Sequence, residues 1–280
     1  MGEQLIGAVE AGGTKFVLAL ARVEKDGHGG TILARTRLPT ATPEVTWPAM
    51  AAFFRQTAAT HGPIAAFGIA SFGPIDIDPA SPSYGTFTTT PKPGWSGARF
   101  HHALAEFGAP IAVDTDVNGA ALGEFASGAG ADLCPSTGTL AYTTIGTGVG
   151  TGVVRGGRAV AGFSHYESGH ILVPRDPATD PYPGFCPYHG DCLEGLTAGP
   201  AIEARWGASL SEANDPARVA LIAGYIAHLA STLVLLHMPD RLVFGGGEAV
   251  DDFAVQQAKP IELVVQAVEG GVVEDRKSVV

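Results

Sequence analysis

QLIGAVEAGGTKFVLAL, residues 4–20, decides how this chain is read. Two apolar runs flank Gly12-Gly13-Thr14, a strand–turn–strand pattern rather than the strand-to-helix entry of a dinucleotide or Walker loop. Glycines at such a turn let backbone N–H groups approach an anion closely, and Thr14 adds a hydroxyl and Lys15 a cation. Taken alone, G-G-T-K reads as a hairpin turn. A second pattern of the same kind lies at 137–155, TGTLAYTTIGTGVGTGVVR, joined by Gly146-Thr147-Gly148-Val149. Two glycine hairpins, each opening one half of the chain, predict an internal duplication, and the pairing says more than either loop.

Between the hairpins, a helix is expected from about Thr46 to Ala59 with Pro48 in its first turn, then a short buried strand from Ile64 to Ala70. Residues 76–98, rich in Gly, Pro, Ser and Thr, read as a long ordered loop. Helix from Ala98 to Phe107 and strand from Ala109 to Val113 follow. That strand delivers Asp114-Thr115-Asp116-Val117-Asn118 to the start of an Ala-rich helix, where open α/β folds place ligands. By itself Asp116 reads as a helix N-cap. Residues 216–237 carry apolar side chains at helical spacing and read as core; Arg241–Phe244 reads as a strand running into Gly245-Gly246-Gly247, a third backbone-only ligand surface.

Residues 165–194, HYESGHILVPRDPATDPYPGFCPYHGDCLE, gather His170, Cys186, His189 and Cys192, the last three spaced C-x2-H-x2-C. Thiolates and imidazoles suit zinc, and four protein ligands close a tetrahedral shell, leaving no position for water. The expected role is a structural clamp that presents Glu167, His170 and Glu194 to a ligand. His165 and His170 are five apart, not the four of an H-E-x-x-H pair, and Gly169 argues against helix there, so a catalytic zinc is not expected.

At 280 residues the chain fits two lobes, and 45% hydrophobic with 16% charged residues describes a globular protein. A net charge of −11 without a basic run disfavours nucleic acid. Three cysteines fit a reducing compartment, and the N-terminus lacks a basic leader. No twenty-residue apolar span is expected, so the reading is cytoplasmic, without membrane partner.

These motifs resemble the ROK family of sugar kinases and repressors, and within it the bacterial fructokinase branch. The resemblance runs over residues 4–247, through GAVEAGGTKF, SFGPIDIDPASPSYGTFTTTPKPGW, DTDVNGAALGE, TTIGTGVGTGVV, the Cys/His stretch with GDCLEGLTAGPAI, and LVFGGG. It implies an α/β fold of the two-lobed actin/hexokinase-like (ribonuclease H-like) type, divided at 115/116. It also implies a cleft for sugar and ATP with Mg²⁺, and a homodimer. The resemblance assigns Glu10, Gly12, Gly13, Thr14 and Lys15 to the first phosphate motif, Gly146, Thr147, Gly148 and Gly150 to the second, and Gly245, Gly246 and Gly247 to the adenosine side. It makes Asp116 the catalytic base, places Thr115, Glu167, His170 and Glu194 at the sugar, and makes His170, Cys186, His189 and Cys192 zinc ligands. It implies ATP-dependent phosphorylation of a hexose, D-fructose to D-fructose 6-phosphate, with a glucokinase, mannokinase or broad hexokinase as the alternative. Absence of a helix-turn-helix segment before the first strand speaks against a repressor. After Gly247 the tail departs from the family pattern, which implies a shortened adenosine pocket and admits an impaired, sugar-binding relic.

Overall fold

The computed structural model describes residues 3–24, 30–90, 92–162, 164–213 and 215–246. Gly247, expected on the adenosine side, lies outside the described residues. By its internal contacts the chain divides into two compact units, residues up to Gly119 with Gly162–His165, and Ala120–Ala161 with the residues from Tyr166 onward.

In the first unit, β1 (Glu3–Ala11) and β2 (Lys15–Glu24) form the antiparallel hairpin, and β3 (Gly30–Pro39) extends it. Helix α1 (Pro43–His61) then crosses to β4 (Ala66–Ser71), parallel to β1, and β5 (Ile111–Thr115) lies parallel to β4. The sheet order is β3-β2-β1-β4-β5. Leu5, Gly7, Val9 and Ala11 alternate inward along β1, the period-2 signature of a strand with one face in the core. Gly7 is required by packing: a Cβ there would strike the ring of Phe67. Helix α1 starts three residues earlier than Thr46, with Pro43 at the first-turn position, so Pro48 lies inside the helix instead. The segment from Phe72 to Trp95 folds onto the core through aromatic rings. Phe72, Phe87, Trp95 and Phe16 stack with centroids 4.6–5.5 Å apart, and the buried Trp95 donates its Nε1–H to the Ala41 carbonyl at 2.9 Å. The single helix expected over 98–107 is instead a four-residue helix, α2 (Phe100–Ala103), and a 3-10 turn (Ala105–Phe107), because Leu104 leaves helical geometry between them.

Helix α3 (Asp116–Ser127) leads to the second unit, where β6 (Thr139–Ile145) and β7 (Val149–Arg155) form the second hairpin and β8 (Arg158–Ala159) its edge. Short helices α4 (Leu193–Thr197), α5 (Gly199–Trp206) and α6 (Leu210–Ala213) precede α7 (Pro216–His237), and β9 (Arg241–Gly245) returns parallel to β6. The order is β8-β7-β6-β9. Both units therefore use one plan: a hairpin whose first strand also pairs in parallel with a strand much later in the chain.

Helix α7 corrects one expectation. It has 22 residues and a mean hydropathy of 2.1 over its most apolar window, so by length and composition it could cross a membrane. Its stripe of Ile222, Tyr225, Ile226, Leu229, Ala230 and Leu233 is buried in the core, and Asp215 caps its start by accepting from the Ala217 and Arg218 N–H groups. A core-facing stripe on a long helix reads as apolar throughout when its outer face carries Ala and Leu.

Candidate active site and metal cluster

The first glycine turn is closed by Gly12 N–H donating to the Lys15 carbonyl at 2.9 Å. The residue that follows β3 braces it from outside: the Thr40 hydroxyl donates to the Gly12 carbonyl (2.7 Å) and the Thr40 N–H to the Thr14 carbonyl (3.0 Å). Gly13, Thr14 and Lys15 remain exposed, as does Glu10 near the carboxyl end of β1. Glu10, Ala70 and Asp114 share one register row across β1, β4 and β5, so the strand that delivers Asp116 ends level with the first turn.

Asp116 is the first residue of α3, yet the capping role belongs to its neighbour. The buried Thr115 uses its hydroxyl oxygen to accept the Asn118 N–H at 3.2 Å, and Asn118 Nδ2–H donates to Asp114 Oδ1 at 2.7 Å. Thr115, assigned to the sugar, is thus spent on capping. Asp116 accepts from its neighbouring Val117 N–H (2.9 Å) and keeps solvent access. Protein crowded around the carboxyl nonetheless pushes its pKa above the ordinary aspartate value. Burial is the main cause, and the Glu10 charge adds to it; the Val117 amide and His165 pull the other way. A carboxylate that is reachable and more basic than usual is what a proton acceptor needs.

The second turn is held differently. Gly146 N–H donates to the Gly148 carbonyl (2.9 Å), and Gly199 N–H, at the start of α5, donates to the Gly146 carbonyl (2.7 Å). Glu194 Oε2 accepts the Val149 N–H at 2.9 Å, so a residue expected at the sugar also braces this loop. Thr147 is exposed at the tip, and Gly150 already lies in β7 opposite Thr144. Gly245 ends β9, and Gly246 follows at φ 134°, a conformation suited to glycine, with the Ile145 carbonyl where a Cβ would stand.

His170, Cys186, His189 and Cys192 come together as their spacing suggested, all four ligand atoms within 4.8 Å of one another. Cys186 Sγ lies 3.8 Å from His170 Nδ1 and 3.7 Å from His189 Nδ1, and Cys192 Sγ lies 3.5 Å from His170 Nδ1. A tetrahedral zinc with ordinary Zn–S and Zn–N bonds sets sulfur and nitrogen about 3.6 Å apart, so the donor set fits that ion. The knuckle between them is a two-way backbone pair, Cys186 N–H to the Gly190 carbonyl and Gly190 N–H to the Cys186 carbonyl. Burial, with Cys186 adjacent, pushes the Cys192 thiol up to about 11, so an incoming metal must displace its proton. With Nδ1 turned to the sulfurs, His170 Nε2 faces Glu167, 3.9 Å from Oε2 and beyond hydrogen-bond length.

A second anchor of the same loop went unread in the sequence. Asp180 is buried, ion-paired with Arg205 of α5, and accepts the Tyr225 hydroxyl of α7 at 2.6 Å. Burial alone would raise its pKa; hydrogen bonds from Tyr225 and Arg205 outweigh that and hold it below the ordinary range, while Tyr225 is pushed up to about 12. The Arg205 guanidinium lies over Tyr182 (5.0 Å) and Trp206 (4.4 Å). Asp180 alone among prolines and glycines gives no sequence signal, because its partners lie 25 and 45 residues away.

Comparison with known proteins gives the family. The profile of the ROK family matches residues 6–269, past Gly247 where the sequence motifs end. A fructokinase of Zymomonas mobilis is 43% identical over 251 residues, 88% of this chain and 80% of the relative. A fructokinase of Pediococcus pentosaceus is 42% identical over 246 residues, 87% and 80% of the two chains. Among solved structures, the ROK hexokinase of Thermus thermophilus superposes with a TM-score of 0.70 at 26% identity, over 96% of this chain and 88% of the other.

Proposed function

This chain belongs to the ROK family of the actin-like ATPase fold, and from that premise we propose that it is a fructokinase, moving the γ-phosphoryl group of ATP to D-fructose to give D-fructose 6-phosphate and ADP. The observation that carries the reaction class is Asp116, free of the capping bond that Thr115 supplies and raised in pKa. Fructose rather than another hexose is supported by the relatives named fructokinase.

In this mechanism Asp116 accepts the proton of the sugar hydroxyl as its oxygen forms a bond to the γ-phosphorus. The bond from that phosphorus to the β–γ bridging oxygen breaks, and ADP leaves with the electron pair. The N–H groups of the two glycine turns, with Lys15, hold phosphate oxygens. Mg²⁺ accompanies ATP and neutralises charge on its phosphates. Glu167, His170 and Glu194 orient the sugar hydroxyls. His170, Cys186, His189 and Cys192 would hold zinc, which would cross-link the loop and fix the His170 ring. The two buried ligand thiols suit the reduced cytoplasm, where ATP is also found.

A panel of hexoses with ATP, read by ADP release, tests the reaction. Fructose is expected to turn over at least about tenfold faster than glucose; the reverse order overturns the sugar, and no turnover with any hexose overturns the kinase reading. Metal analysis should find one zinc per chain, lost in Cys186→Ser together with thermal stability.

A further inference from the structure

We propose that Lys92 is the second cation of the first glycine turn, and that its ammonium takes an oxygen of the phosphoryl group in transit. The inference rests on the kinase reading given above.

Lys92 lies 77 residues from Lys15 in sequence, on the loop that follows β4, yet the fold brings it to the same turn. Its Cε is 4.0 Å from where a Cβ on Gly13 would stand, and among the described residues beyond Gly12 and Thr14 nothing else comes within 4 Å of that point. The space in front of Gly13 is therefore open and bounded by a lysine. Its Nζ stands 5.8 Å from the centre of the Phe72 ring, within the range of a cation–π contact. Phe72 is itself tied to the same strand end, its N–H donating to the Ala11 carbonyl at 2.7 Å.

The lysine is held in place at its backbone. Its N–H donates to Thr90 Oγ1 (3.3 Å), and its carbonyl accepts from the N–H of Trp95, the buried indole anchored to Ala41. The side chain is half-buried and, among the described residues, has no carboxylate partner. A partly desolvated ammonium with only a ring face for company is favourably placed to take an anion. At this turn that anion is a phosphate oxygen. A neutral sugar hydroxyl gains far less from the charge.

If Lys92 meets the transferring group, it contacts ATP and the transition state and leaves ADP untouched. Wild type, Lys92→Met and Lys92→Arg are compared by calorimetry with ATP and with ADP, and by initial rates on fructose. Methionine keeps the apolar stem against Phe72 and removes the charge. Expected are an ATP affinity lowered about tenfold with ADP affinity unchanged, and kcat lowered about 100-fold, with most of both restored in Lys92→Arg. Equal losses for ATP and ADP, no change in either, or a rise in fructose KM with kcat intact would each overturn the proposal. If wild type turns over no hexose while the ATP-specific loss in Lys92→Met persists, the kinase reading fails and only the contact of Lys92 with the terminal phosphate of ATP stands.

Discussion

The two glycine hairpins share a backbone plan and differ in what steadies the turn. At the first, the hydroxyl of Thr40, the residue just after β3, holds the Gly12 carbonyl, and cationic Lys15 and Lys92 stand nearby. At the second, a carboxylate, Glu194, accepts the Val149 N–H, and it sits two residues after Cys192 of the Cys/His cluster. The two units thus share the strand pairing and differ in the side chains at the turn. One turn is braced next to its own sheet and has two lysines beside it; the other is braced by the loop that carries the cysteines and histidines. Disturbance of that loop should reach the second turn and spare the first.

The largest expected effect separates chemistry from structure. Asp116→Asn should lower kcat by about 10³-fold with fructose binding and metal content retained, measured by the coupled assay, calorimetry and metal analysis. A rate near wild type would remove Asp116 from the mechanism. In the wild type, the raised pKa of Asp116 sets a pH signature. As pH falls through that raised value the base becomes protonated and kcat/KM declines, so the acid limb should lie above the ordinary aspartate pKa and vanish in Asp116→Asn. For stability the sign is opposite. The native state holds this proton more tightly than the unfolded chain, so the group favours folding at low pH and that contribution is lost as pH rises through the raised pKa.

Next in size is Asp180→Asn, which leaves Arg205 buried without its counter-charge. Urea unfolding should show a loss of about 3 kcal/mol, and zinc should dissociate more readily, while ATP contacts at the first turn stay intact. Stability unchanged within about 0.5 kcal/mol would mean that the pair does not anchor the loop.

The sharpest test of the comparison is the smallest in energy. In Gly148→Ala the new Cβ would stand 2.8 Å from Glu194 Oε2, so the carboxylate must move and release the Val149 N–H, at a cost of about 1 kcal/mol. In Gly13→Ala the Cβ meets nothing nearer than Lys92 Cε at 4.0 Å, and stability should change by less than about 0.5 kcal/mol. Equal melting-temperature losses in the two variants would erase the distinction between the turns.

Much of this was legible in the residues themselves. The apolar runs of β1 and β2 around their glycine turn, the helical spacing in α7 and the C-x2-H-x2-C run are local patterns, and each names its element or cluster without a partner. Asp116 was legible as a residue at a strand's end; that Thr115 rather than Asp116 caps α3 was not, since both types cap well and side-chain geometry chooses. The aromatic stack of Phe72, Phe87 and Trp95 escaped because its spacing follows neither a helix nor a strand. The start of α1 shifted because two prolines, Pro43 and Pro48, could each open a helix.

Order along the chain therefore determined the strands, the paired glycine turns, the Cys/His cluster and the family. Tertiary structure alone decided that Lys92 faces Gly13, that Glu194 holds Val149, and that Asp180 meets Arg205 and Tyr225. The physical reason is range. Backbone periodicity and turn chemistry act over a few residues, whereas a charge finds its partner through space, across segments that a linear pattern leaves unrelated.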